Sequence, residues 1–145
     1  MYRFNLEPLL NHRRYQEEIL QKELAGLKTR LVAEKDKLRV LKKKKRQYLG
    51  QLQLKQQSGR PVSEIKLYLH FVDHLSKEMN AQNQRVLRVE KGFNLKRQDL
   101  IQAMKNRKTL EKLQEKGFQA HQQKMLKKER GFMDEVAGNQ FNLSK

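Results

Sequence analysis

The sequence predicts an all-α fold: a long antiparallel two-helix coiled coil, folded as an α-hairpin with a C-terminal helical overhang. Apolar residues recur at alternating steps of three and four in two segments, as the a and d positions of a heptad seam do. One break, around Gly59 and Pro61, separates the segments. Leu, Lys, Gln, Glu and Arg dominate, as is typical of long helices. We expect a single hairpin domain over residues 1–145.

The first helix is expected over about residues 6–57. Most of its seam positions are apolar, and the polar exceptions are expected to cost stability while helping to fix the register. The seam runs through Leu10, Arg13, Glu17, Leu20, Leu24, Leu27, Leu31, Glu34, Leu38, Leu41, Lys45, Tyr48 and Leu52.

The turn is expected over residues 58–62, because Gly and Pro lie close together there between two periodic segments. Ser63 is the expected N-cap of a second helix over about residues 63–137, followed by a tail over residues 138–145. The second seam runs through Ile65, Tyr68, Val72, Leu75, Met79, Gln82, Val86, Val89, Phe93, Lys96, Leu100, Ala103, Arg107 and Leu110.

A turn this short requires the two helices to lie antiparallel. With the apex near residue 60, the numbers of facing residues should sum to about 120. This register places Leu27 against Phe93 and Leu31 against Val89. Polar layers are expected where Glu34 faces Val86, Gln82 faces Leu38, Lys96 faces Leu24 and Arg107 faces Arg13.

The second helix is expected to be longer than the first, so that residues 115–137 have no facing helix. Phe118, Met125 and Phe132 repeat there every seven residues, one step out of phase with the preceding seam. The stripe is either part of a frayed tail or a docking surface for another protein. The second interpretation predicts that removing residues 115–145 leaves a folded hairpin and abolishes one binding activity.

Composition narrows the class of protein. The net charge of +17 favours anionic partners without specifying which. The absence of cysteine excludes disulfides and thiolate metal sites. We recognise neither a signal peptide nor the apolar stretch of about 20 residues that spans a membrane. We therefore expect a soluble cytosolic protein without a transmembrane segment.

No enzymatic site is expected in a two-helix fold without a water-excluding cavity. His70 and His74 share one helix face, but a zinc ion needs three or four ligands, so neither a metal nor a cofactor is expected. The basic run at residues 42–46 is interpreted as a solvated collar or as an anionic contact. Specific binding of nucleic acid is not expected, because Tyr48 and Tyr68 belong to the seam and are not free to stack on bases.

Several segments, in their order along nearly the whole chain, resemble the FliJ family of bacterial flagellar export proteins. They are Phe4-x-Leu6-Glu7-x-Leu9-Leu10-x-x-Arg13, Gln21-Lys22-Glu23-Leu24-Ala25, Ala103-x-x-x-Arg107-Lys108-x-Leu110-Glu111-x-Leu113-x-Glu115-Lys116 and Met133-Asp134-Glu135-x-Ala137.

The resemblance implies an antiparallel coiled coil similar to the central stalk of rotary ATPases. Both chain termini would insert into the hexamer of the flagellar export ATPase and promote its assembly and activity. The hairpin would contact the cytoplasmic domain of the membrane-embedded export-gate protein, and it would bind empty export chaperones. This implies a location at the cytoplasmic face of the inner membrane, at the flagellar base.

The resemblance also implies which residues make these contacts. The expected contacts with the ATPase ring are Leu6, Leu9, Leu10, Arg13, Phe118, Met125, Phe132, Asp134 and Glu135. The expected contacts with the export gate are Leu41, Tyr48, Phe71 and Leu75. Two alternatives stay open: a stalk protein of a virulence type III secretion system, and a basic coiled-coil RNA-binding protein.

Overall fold

The computed structural model of the chain describes residues 2–143. It contains two α-helices: α1, Glu7–Gln57, with 51 residues, and α2, Val62–Leu143, with 82 residues. No strand occurs among the described residues. The helices pack against each other on either side of a short turn, so the predicted all-α helical hairpin is confirmed.

Contacts divide the chain into two units, which are described separately. Residues 20–100 form the turn unit. Residues up to 19, together with those from 101 onward, form the terminal unit.

The turn closes around Gly59, which has a positive φ of 70°. The Arg60 amide donates to the Lys55 carbonyl at 3.2 Å, and the Ser58 amide donates to the Leu54 carbonyl at 3.0 Å. The first of these bonds is the one that ends a helix in a Schellman motif, whose left-handed residue is usually glycine. The turn predicted around Gly59 therefore forms where the sequence indicated.

The N-terminus of α2 differs from the prediction at one residue. The Pro61 carbonyl accepts hydrogen bonds from the amides of Glu64, at 3.1 Å, and Ile65, at 3.2 Å. Ser63 already lies within the helix, so its prediction as the N-cap is wrong. Proline is favoured near a helix start because its φ is fixed near the helical value and its missing N–H costs nothing there.

The core of the turn unit is a cluster of Leu31, Val86 and Val89, against which Leu38 and Phe93 pack. The contact of Leu31 with Val89 is one that the predicted register required. Each helix contributes aliphatic side chains from one face, as heptad spacing demands.

A buried polar contact lies beside this core and departs from the predicted layers. Gln82 is buried, and its Nε2 donates to the Glu34 carbonyl oxygen at 2.9 Å and to the Glu34 carboxylate at 2.5 Å. The sequence placed Leu38 opposite Gln82 and Val86 opposite Glu34. A buried amide requires a hydrogen-bond partner, which a leucine cannot supply.

In the terminal unit, Leu10 and Leu110 are buried together with the charged side chain of Glu17. Arg107 Nε donates to Glu17 Oε2 at 2.5 Å. The predicted layer set Arg107 against Arg13, and the structure shows that the Arg107 side chain pairs with Glu17. Glu17 lies one helical turn beyond Arg13 and neutralises the guanidinium, whereas two arginines would repel each other.

The unpaired part of α2 also differs in its bounds. Tyr2 contacts Phe118 and His121, so the chain covers α2 beyond residue 115. All of residues 122–143 are exposed. Residues 138–143, predicted as tail, are helical, because a glycine such as Gly138 costs a helix only about 1 kcal/mol and does not by itself end one. Residues 144–145 lie outside the described part of the chain.

Candidate functional site

The candidate site in the terminal unit is an apolar stripe on α2. Met125 is 46% exposed and Phe132 is 68% exposed, and Val136 follows one turn later. Steps of seven and four residues place these side chains on one helix face. The exposed stripe predicted through Met125 and Phe132 is present. We define the overhang as residues 122–143.

Three exposed apolar side chains widen the stripe beyond what the sequence analysis named. They are Leu126, Met133 and Val136. Leu126 and Met133 directly follow Met125 and Phe132 and lie seven residues apart, and Val136 lies four residues after Phe132. This helical spacing is the signal that would have found them. The result is a broad apolar face on a helix that no other part of residues 2–143 covers.

Charged side chains surround this face. Asp134 and Glu135, both predicted as ring contacts, are exposed on the overhang, and so is Glu129. Lys124 and Lys127 are exposed on the same segment. The overhang therefore presents mixed charge around an apolar centre, an arrangement common in protein–protein contacts.

Phe118, the first residue of the predicted stripe, is in a different environment. Its ring meets the Tyr2 ring edge-on, with centroids 5.9 Å apart, and it is 46% exposed. The Tyr2 ring also lies 5.5 Å from the ring of His121. The Tyr2 hydroxyl occupies the place that a Cβ at Gly117 would take. The sequence analysis missed this contact.

The predicted ring contacts near the N-terminus separate into two groups. Leu6 and Leu9 are exposed at the start of α1 and can meet a partner. Leu10 is completely buried and serves the interior of the terminal unit, so it offers a partner no surface. Arg13 is half-buried.

An ion network holds the two helices together in the terminal unit. Besides Glu17, Arg107 contacts Glu111, with Nη1 3.0 Å from both carboxylate oxygens. Arg14 Nη2 lies 3.5 Å from Glu111 Oε1. The hydrogen bond from Arg107 lowers the pKa of Glu111, and the hydrogen bond to Glu17 raises the pKa of Arg107. These charges are mutually satisfied.

The candidate site in the turn unit is a group of three aromatic rings. Tyr48 stacks on Phe71 and packs against Tyr68, with ring centroids 5.9 Å apart in each pair. The Lys55 ammonium lies 4.7 Å from the centre of the Tyr68 ring and forms an ion pair with Glu64. This ion pair raises the pKa of Lys55 and lowers that of Glu64.

A shallow groove of about 440 Å³ runs beside these rings. Tyr48, Phe71 and Leu75 line it together with Lys44. Among the predicted gate contacts, Phe71 is 42% exposed, Tyr48 is half-buried and Leu75 is buried.

Leu41, the fourth predicted gate contact, is half-buried and does not line this groove. Three of the four predicted residues therefore come together, and Phe71 presents the largest surface to a partner.

Residues 2–143 contain neither a cluster of metal ligands nor a membrane-spanning helix. No three histidine, aspartate or glutamate side chains there lie close enough to bind one ion. His74 Nε2 lies 2.8 Å from Glu78 Oε1. Neither α1 nor α2, as described, contains a stretch apolar enough to cross a membrane.

A family model with the description "Flagellar FliJ protein" matches residues 2–145. No curated protein and no solved structure matches the chain.

Proposed function

The chain belongs to the FliJ family, which relates it to flagellar protein export, and from this premise we propose that it is a non-enzymatic stalk of the export apparatus. Its terminal unit inserts into the hexameric export ATPase and promotes ATP hydrolysis. Its turn unit contacts the cytoplasmic domain of the export gate. The protein also handles export chaperones and works at the cytoplasmic face of the inner membrane, at the flagellar base.

The observation that carries this proposal is the overhang. Residues 122–143 are helical and each of them is exposed, although Met125, Phe132 and Val136 form an apolar stripe along them. Contiguous exposed apolar surface is typical of an interaction site, and a partner recognises such a helix by closing an apolar groove around it. A ring with a central opening is a partner that can surround the helix.

The positive charge of the chain favours a ring whose entrance is acidic. The net charge of +17 steers the protein toward acidic surfaces and accelerates encounter at low ionic strength. Association should therefore slow as salt rises, because the Debye length falls to about 8 Å at physiological ionic strength. The match to a flagellar family favours this role over the virulence-system alternative.

The test is ATP hydrolysis by the purified export ATPase, with and without this protein. We expect stimulation by the full chain and none by a chain that ends at residue 121. The double variant Met125→Asp and Phe132→Asp should weaken binding by roughly tenfold or more, since it places charge in an apolar interface.

The matched control is Leu87→Asp with Leu95→Asp, which alters two residues of similar exposure in the turn unit. This control should stimulate the ATPase as the native chain does. Equal stimulation by the chain that ends at residue 121 would contradict the proposal.

The gate contact has a separate test. Phe71→Ala should weaken binding to the cytoplasmic domain of the gate protein, because Phe71 gives the aromatic group its exposed edge. Leu67→Ala, an exposed residue of the same helix, is the control and should bind normally. If both variants bind as the native chain does, the groove is not the gate contact.

A further inference from the structure

Gly117 has a feature that none of the other six glycines shares. A Cβ built on Gly26, Gly50, Gly59, Gly92, Gly131 or Gly138 meets nothing within 4 Å, whereas one built on Gly117 meets the side chain of Tyr2. The Tyr2 hydroxyl overlaps that Cβ sterically, and the Tyr2 Cζ lies 3.1 Å from it. A side chain at residue 117 would therefore require the Tyr2 ring to shift, whereas glycine lets the ring approach the helix backbone.

The segment that carries Tyr2 is connected to α1 by a hydrogen bond. Residues 2–5 precede α1 and are not helical. The Phe4 carbonyl accepts a hydrogen bond from the Glu7 amide at 3.1 Å, which connects the segment to the first turn of α1. We refer to residues 2–5 as the strap.

The strap covers the place where the apolar stripe begins. The Tyr2 ring packs edge-on against Phe118 and tilts over His121, and it fills the notch at Gly117. Phe118 and Met125 belong to the same heptad stripe, and the Tyr2 ring packs against the first of them. Any helix or loop that grips the stripe from its first residue meets Tyr2 there.

We infer that the strap is an intramolecular competitor: Tyr2 occupies an aromatic socket formed by Gly117, Phe118 and His121, and a partner must displace it to grip the whole stripe. The inference rests on the proposed function only in naming the export ATPase as that partner. A strap that is closed nine-tenths of the time weakens apparent binding about tenfold, because only the open fraction is competent.

The socket can be tested without any partner, by hydroxyl-radical footprinting of the full chain. Tyr2→Ala and Gly117→Ala should both raise the labelling of Phe118 toward that of Phe132, which is 68% exposed. Tyr15→Ala and Gly131→Ala are the matched controls and should leave Phe118 unchanged. Alanine at 117 also favours the helix, so greater labelling there cannot be ascribed to unfolding.

A rescue variant distinguishes a steric clash with Tyr2 from any other effect of the substitution at residue 117. Gly117→Ala combined with Tyr2→Phe removes the hydroxyl that the new Cβ would strike. Only the contact at 3.1 Å then has to relax, so Phe118 should regain part of its protection. Unchanged labelling of Phe118 in both Tyr2→Ala and Gly117→Ala would overturn the inference.

The competition is then measured as binding of the export ATPase. Tyr2→Ala should bind more tightly than the native chain, by up to about tenfold for the closed fraction considered above. Equal or weaker binding by Tyr2→Ala would show that the strap does not compete. If neither variant nor native chain binds the ATPase, the proposed function fails, and the footprinting result still decides whether the socket exists.

Discussion

The turn unit and the terminal unit have similar heptad patterns, but the apolar side chains of these patterns are buried to different extents. In the turn unit, both helices supply the seam, and Leu31, Val86 and Val89 close into a core. In the terminal unit, α2 continues the pattern past the last contact with Tyr2, and Met125 and Phe132 stay exposed. A heptad stripe in this chain therefore forms a core where a second helix covers it and stays exposed where none does.

The largest expected contrast is between one apolar residue from each unit. Leu31→Ala removes a buried leucine and should lower the free energy of unfolding by about 2–3 kcal/mol. Phe132→Ala removes a larger side chain but should change it by less than about 0.5 kcal/mol, because that ring is already in water. Urea unfolding followed by circular dichroism measures both. Comparable losses would mean that the overhang is packed.

The ion network should give the next largest effect. Arg107→Ala leaves Glu17 buried without its counterion and should cost about 2 kcal/mol in urea unfolding. The double variant Glu17→Leu with Arg107→Met replaces the pair by apolar side chains and should recover most of this loss. If the double variant is as unstable as the single one, the cost arises from packing and not from the unpaired charge.

Two glycines should respond in opposite directions. Gly59→Ala forces an alanine into a left-handed conformation at the turn and should destabilise the chain by about 1 kcal/mol. Gly26→Ala lies within α1 with open space around it and should stabilise the chain by up to about 1 kcal/mol. A loss of stability from Gly26→Ala would reveal a close contact at that position.

The smallest expected effect is a dependence on pH in the turn unit. The hydrogen bond from Gln82 lowers the pKa of Glu34 in the folded chain. The contribution of ionised Glu34 to the free energy of unfolding is therefore present above the unfolded pKa of about 4.3. It is lost as the pH falls through the folded pKa. Glu34→Gln and Gln82→Ala should each flatten the fall of Tm below that pH. An unchanged slope in both variants would exclude this pair as its source.

Heptad reasoning predicted the hairpin, the turn at Gly59 and the register that joins Leu31 to Val89. These follow from periodicity and from one glycine, which are properties of local sequence. The polar partners of Gln82 and Arg107 were not predicted, because apolar spacing alone does not include the requirement that a buried polar group find a hydrogen bond or a counterion.

The Tyr2 socket lay beyond sequence reasoning for another reason. The sequence shows Gly117 only as one more glycine within a helix, and the contact with Tyr2 is visible only in the structure. The exposed stripe through Met125 and Phe132 was visible in the sequence. Its start was not, because that depends on where a non-helical strap folds back.

Hydrogen exchange of the full chain, with and without the export ATPase hexamer, tests the central claim most directly. If residues 122–143 are the surface that the ring surrounds, their amides should exchange readily in the free protein and become protected in the complex. Binding of the hexamer that leaves exchange in this segment unchanged would contradict the account.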